Sequence, residues 1–140
     1  MIRPACLAVA VVLVLGACAP SPDSFSIHRF SSVAYNEFQP LDRTVSDPAV
    51  ASRLYREIRA LRPREGTVFC AMDFGVRHEL SFFMGAERIL HGVMNLGCGE
   101  IDLGAGDVRA LDEHFVPDLL GALGMYTRSN ELWPTPIPRR

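Results

Sequence analysis

The chain opens on an unbroken apolar run over residues 5–15, which gives way to Pro20 and the polar Ser21, Pro22 and Asp23. A membrane-spanning helix needs roughly 20 apolar residues, so this run is too short to be a retained anchor helix. Past it, residues 25–30 alternate loosely between apolar and polar, which predicts a first strand. Asp47-Pro48 reads as a helix cap followed by proline at the first helical position, opening a helix to about residue 62 that Pro63 stops. Val50, Leu54, Ile58 and Leu61 form its apolar stripe. Arg53, Arg56, Glu57 and Arg59 cover the opposite face, which by default is solvated; the alternative is contact with anionic lipid headgroups.

Over residues 67–103 the period shortens to that of strands, broken at Asp73-Phe74-Gly75, Met84-Gly85-Ala86 and Asn95-Leu96-Gly97. Four antiparallel strands are expected there, with Cys70 in the first and Cys98 at the start of the fourth. Val76, Leu80 and Phe82 line one face of the second strand, and Arg77, Glu79 and Ser81 line the other, so one side of the sheet is packed and the other more polar. A loop at residues 104–107 precedes a last helix capped by Asp112, running through Leu123 and ended by Gly124. Phe115, Leu119 and Leu123 should face the sheet. Pro117 either bends this helix or marks where its regular part begins. The predicted fold is α+β, a four- to five-stranded antiparallel sheet with two helices packed on one face and one disulfide.

The opening run changes the picture once its flanks are read. Arg3 precedes it and the small pair Gly16-Ala17 follows, the layout of an export signal. Leu15-Gly16-Ala17-Cys18 resembles a bacterial lipobox. The resemblance implies cleavage before Cys18, acylation of its sulfur and new N-terminus, and stable anchoring by two or three chains. Ala19 rather than Asp in the next position implies outer-membrane sorting in a two-membrane host, or the outer face of the plasma membrane in a host with one. Cleavage after Ala17 or Ala19 would instead leave a soluble secreted protein. The expected organisation is a signal peptide at 1–17, a lipidated cysteine and tether at 18–24, one domain at 25–126 and a proline-rich tail at 127–140.

Removing the first 17 of 140 residues leaves 123, enough for one domain and too few for two. With Arg3 gone, 13 Arg face 16 Asp plus Glu, a net charge of −3, and the chain contains no Lys. That balance lacks the clustered basic excess of a nucleic-acid binder. Cys6 leaves with the signal, so Cys70 and Cys98 are the thiols of an exported domain and are expected to pair. By the loop-entropy argument, closing about 29 residues contributes on the order of 3 to 4 kcal/mol.

Catalytic motifs are thin. His28, His78, His91 and His114 are scattered, and no pair has the helical spacing of a zinc hydrolase. His78 shares its strand face with Val76 and Leu80, which suits a buried, hydrogen-bonded histidine. A metal site would need His78 and His91 on one face with Asp73 or Glu87 nearby. No serine sits in G-x-S-x-G, and Gly97-Cys98-Gly99 and Gly104-Ala105-Gly106 lack the lysine of a phosphate loop. Neither cysteine is in a C-x-x-C pair. Asp73 is assigned to its own turn.

Cys70, Asp73, Gly75, Leu80, Phe82 and Gly97-Cys98 together resemble a group of uncharacterised bacterial lipoproteins and secreted proteins. Their pattern is an Asp-Pro-opened helix, Cys-x-x-Asp-x-Gly, an apolar strand, and Gly-Cys before a final helix. The likeness covers residues 46–124 and departs at Ala71, where the pattern has proline. It implies the fold and the disulfide and brings no known activity; no cofactor is expected. The expected role is a non-enzymatic binding module of the cell envelope, tied to the membrane by its lipid and directed at an envelope protein or glycan. Its surface would carry Arg77 and Glu79 with Phe74 and Trp133. The alternative is a small metal-dependent or redox enzyme using His78 and His91, or Cys70 and Cys98.

Overall fold

The computed structural model describes residues 20–32, 39–66, 69–70, 73–125 and 132. Cys18, the signal segment and Trp133 lie outside them. Among the described residues the elements run β1 (Ser24–Ser31), β2 (Asp42–Val45), α1 (Pro48–Ala60), β3 (Val76–Met84), β4 (Glu87–Asn95), β5 (Glu100–Asp102), β6 (Val108–Ala110) and α2 (Phe115–Ala122). The strands form one antiparallel sheet in the order β2-β1-β3-β4-β5-β6. The class is the predicted α+β, with six strands rather than four or five.

Both helices cover one face of this sheet. Phe25, Ile27, Leu80, Phe82, Met94 and Ile101 point into a core closed by Ala51, Leu54 and Ile58 of α1 and by Phe115, Leu119 and Leu120 of α2. Phe82 sits at its centre, stacked on Phe25 at 5.7 Å and met edge-on by Tyr55 at 5.8 Å. Gly92 lies on the same face, where a Cβ would come within 2.9 Å of the Ile101 and Leu103 side chains; only glycine lets them lean across β4.

The helix ends follow from their caps. Asp47 Oδ1 accepts from the Ala49 and Val50 amides, and Pro48 occupies the first position. Asp112 accepts from the His114 and Phe115 amides one turn before α2 proper, so its cap serves the turn that leads in. Starting the helix at Phe115 puts Pro117 in the first turn, where its missing N–H costs no helical bond. At the other end the Gly124 amide donates to Gly121 O and the Met125 amide to Leu120 O, a Schellman closure with Gly124 at φ 67°. Leu132, expected in the proline-rich tail, is fully buried in the core.

Three local expectations fail. The strand expected around Cys70 is irregular at the described residues 69–70 and 73–75, and Cys98 lies in the turn between β4 and β5 rather than in a strand. β2 and β6, for which the sequence reading offers no strand, are edge strands held by backbone pairing. The β6 edge is covered in turn by residues 62–64, through Arg64 N to Val108 O and Ala110 N to Arg62 O. Finally, Ser21 to Ser24, assigned to a tether, belong to the fold. Asp23 N donates to Phe83 O, Ser52 Oγ donates to Pro22 O, and the Ser21 and Ser52 hydroxyls are 2.7 Å apart.

Candidate functional site

Neither helix covers the opposite face of the sheet, the open face here, on which Ser81 and Asn95 are nonetheless buried. Strand pairing puts Ser26, His28 and Phe30 of β1, Arg77, Glu79 and Ser81 of β3, and His91, Val93 and Asn95 of β4 on it. At one end of this face the disulfide closes, Cys70 to Cys98, with Cα atoms 5.0 Å apart. The expected pairing is correct, and its setting explains why irregular backbone stays fixed there.

Asp73 is the hub of that end. Its Oδ1 accepts from the Gly75 amide at 2.9 Å, the side-chain turn expected of it. Arg77 adds a bidentate pair, Nη1 to Oδ1 and Nη2 to Oδ2, each 2.8 Å. Asn95 donates Nδ2 to Asp73 Oδ2 at 3.3 Å, lies 2.8 Å from Cys98 Sγ, and accepts the Cys98 amide on Oδ1. The Arg77 guanidinium and the Gly75 and Asn95 donors outweigh the cost of burial and hold the Asp73 carboxyl down at about 2. Asn95, read only as a turn residue, is the link between sheet, carboxylate and disulfide that sequence reasoning missed.

Around this knot lie three exposed phenylalanines. Phe69, 91% exposed, precedes Cys70; Phe74, 57% exposed, follows Asp73; and Phe30 stands on the open face directly across from Arg77. Ser32 fastens the end of β1 beside Phe74 by donating its amide and hydroxyl to Gly75 O. Aromatic side chains beside a fixed charged pair are the usual make-up of a binding surface.

The histidines do not assemble. His78 is on the core face, fully buried and opposite Arg29 on β1. Arg29, itself buried, donates Nε to His78 Nε2 at 3.3 Å and Nη1 to Gln39 O at 2.7 Å. Burial, and secondly the Arg29 charge, push the His78 imidazole down to about 3, so it is neutral. His91 points the other way, with Ser81 Oγ and Glu79 Oε1 each 3.4 Å from its Nδ1. Because both contacts use the same nitrogen, Ser81, His91 and Glu79 are not a relay of nucleophile, base and orienting acid, which needs the two ring nitrogens.

A bulge separates the two histidines. The two-residue turn at Gly85-Ala86 pairs Met84 with Glu87 and Phe83 with Arg88, and that register continued would set His91 opposite Leu80, on the core face with His78. The shift between Phe82 and Phe83 moves the pairing by one residue, and His91 comes to lie opposite Ser81 on the open face. The metal site that required both on one face is thereby overturned. Among the described residues no three His, Cys, Asp or Glu side chains converge on a metal position.

The basic face of α1 is partly committed. Arg53 lies 3.6 Å from Glu57 and 3.4 Å from Asp118, tying α1 to α2. Glu57, Asp112, His114 and Asp118 line a cleft of about 330 Å³ between the helices, where burial and then the Asp118 charge raise the Glu57 carboxyl. No family model matches the chain, and no curated protein or solved structure matches it either. Among the described residues no helix is long and apolar enough to cross a membrane.

Proposed function

We propose that this protein is a lipid-anchored module of the bacterial cell envelope that binds a partner through the disulfide end of its open sheet face. The observation that carries this reading is the lipobox-like Leu15-Gly16-Ala17-Cys18, with Ser21, three residues on, already hydrogen-bonded to Ser52 of the domain. Lipid on Cys18 holds the domain at the outer-membrane or plasma-membrane surface. The Asp73–Arg77–Asn95 knot supplies a rigid base, and Phe69, Phe74 and Phe30 supply exposed aromatic area for an envelope protein or glycan. Rigid aromatic anchors lose little entropy on binding, which suits a small domain.

Two variants test the reading. Cys18→Ser should move the protein from the membrane fraction to the soluble envelope fraction, and retention in the membrane would contradict the anchor. In intact cells, a photo-cross-linker in place of Phe74 should capture one recurring species, while the same group at Glu113, on the exposed turn before α2, should not. Identical captures at both positions would contradict a binding surface at the disulfide end.

A further inference from the structure

The two ends of the sheet differ in where they stand relative to Cys18. β1 starts at Ser24, opposite Phe83, and runs to Ser31, opposite Val76. The N-terminal end of the sheet is therefore also the end of the β3–β4 hairpin, of Val45 in β2, and of the start of α1, whose Ser52, just past the first turn, holds Pro22 and Ser21. The disulfide, Asp73 and the exposed phenylalanines are at the opposite end. Along β3 the hairpin tip and Phe74 are separated by roughly 30 Å.

The chain from Cys18 to Ser21 is three peptide steps. Whatever conformation it adopts, it spans at most about 11 Å. Long flexible tethers let an anchored domain tumble; this one leaves no room for that. The exposed residues nearest the attachment suit contact with a headgroup layer: Pro20, Pro48, Ala49, Met84 and Ala86 carry no charge. The carboxylates at that end are not buried but are engaged by backbone amides, Asp23 accepting the Gly85 amide at 2.6 Å and Asp47 capping α1. The remaining charges at the hairpin, Glu87 and Arg88, cancel.

We propose that the end bearing the β3–β4 hairpin and the first turn of α1 is a membrane-contact surface, seated on the lipid headgroups by a tether too short to release it. The sheet then stands away from the bilayer and presents the disulfide end, with its aromatic side chains, to the envelope space. This rests on the lipoprotein reading of Cys18 and adds an orientation to it.

The test uses the full chain, lipidated by the cell and purified from membranes into vesicles of phosphatidylethanolamine and phosphatidylglycerol that carry an acceptor dye on the headgroup. A donor is introduced as an unnatural amino acid at Met84 or at Phe74, both exposed. Strong energy transfer from position 84 and several-fold weaker transfer from position 74 are expected. Inserting a flexible Gly/Ser spacer between Ala19 and Pro20 should bring the two values together. Equal transfer from both positions without the spacer, or stronger transfer from 74, overturns the orientation while leaving the anchor intact. A difference that survives the spacer overturns the short tether as its cause. The intact mass of the same sample separates these outcomes from failure of the underlying reading, since a chain without acyl groups removes the anchor itself.

Discussion

The two ends of the sheet are fastened by different chemistry. At the hairpin end the chain stays in paired strands up to its turns, through one bulge in β4, and neighbours in sequence or register hold one another: Gly85 takes the left-handed turn position at φ 60°, its amide goes to Asp23, and Pro22 is tied to Ser52. At the disulfide end the backbone around residues 69–75 has no strand to align it among the described residues, and it is fixed by a covalent bond plus a carboxylate shared by Arg77, Gly75 and Asn95. Regular backbone needs only a turn and a cap to end it. An irregular segment that carries exposed aromatic side chains needs its own scaffold, and that scaffold has no counterpart in hydrophobic periodicity.

The sharpest way to break the contrast is to remove the covalent link. Cys70→Ala with Cys98→Ala should cost about 3 to 4 kcal/mol, from the entropy returned to a 29-residue loop in the unfolded chain. Urea unfolding reads it, and a loss no larger than a surface substitution would show that the noncovalent knot alone holds this end. Strand pairing at the hairpin end should survive in the variant, with amide exchange at Phe83 and Gly85 little changed.

Next in size is an acid effect from the core beneath the sheet. His78 is protonated in the unfolded chain below about 6.5 but stays neutral in the fold down to about 3, so the unfolded state binds the extra proton in that window. Stability should fall as pH drops below 6.5, by about 1.4 kcal/mol per unit, or about 2 to 3 kcal/mol by pH 4.5. His78→Gln should flatten that limb whatever it does to stability at neutral pH. A variant whose profile runs parallel to the native one would refute the assignment.

Asp73 acts in a lower window. Its folded value of about 2 lies below the ordinary 3.8, so its contribution is complete above about pH 5 and is lost as pH falls toward 2. Asp73→Asn should cost about 1 to 2 kcal/mol at pH 7, allowing for its partial exposure, and should remove pH dependence below 4 that the native chain retains. The smallest effect belongs to the other end. Asp23→Ala should leave global unfolding nearly unchanged and speed amide exchange at Gly85, which loses its acceptor; unchanged exchange there would mean that the turn does not depend on Asp23.

Much of this contrast could be read in the sequence, for identifiable reasons. α1 was legible because Asp47, Pro48 and Pro63 mark its ends and Leu54 and Ile58 its buried stripe. β3 and its core face followed from the alternation of Val76, Leu80 and Phe82, and the Cys70–Cys98 pair from counting the cysteines left once Cys6 and Cys18 are set aside. β2 escaped because edge strands need little apolar character. The irregular course near Cys70 escaped because turn residues and short strands look alike without their partners. The face of His91 was beyond reach for a more exact reason: one bulged residue in β4 reverses it, and nothing in the local composition announces the bulge. The Asp73–Asn95 link joins residues 22 apart and exists only once β3 and β4 pair.

The central claim is a disulfide-stapled domain anchored by lipid at Cys18. The most direct test is the intact mass of the protein expressed in bacteria with its own signal and extracted from membranes, recorded before and after thiol alkylation without reduction. The account predicts a chain beginning at Cys18 that carries two or three acyl groups and takes up no alkylating agent. A chain without acyl groups would contradict the anchor, and alkylation at Cys70 and Cys98 would contradict the staple.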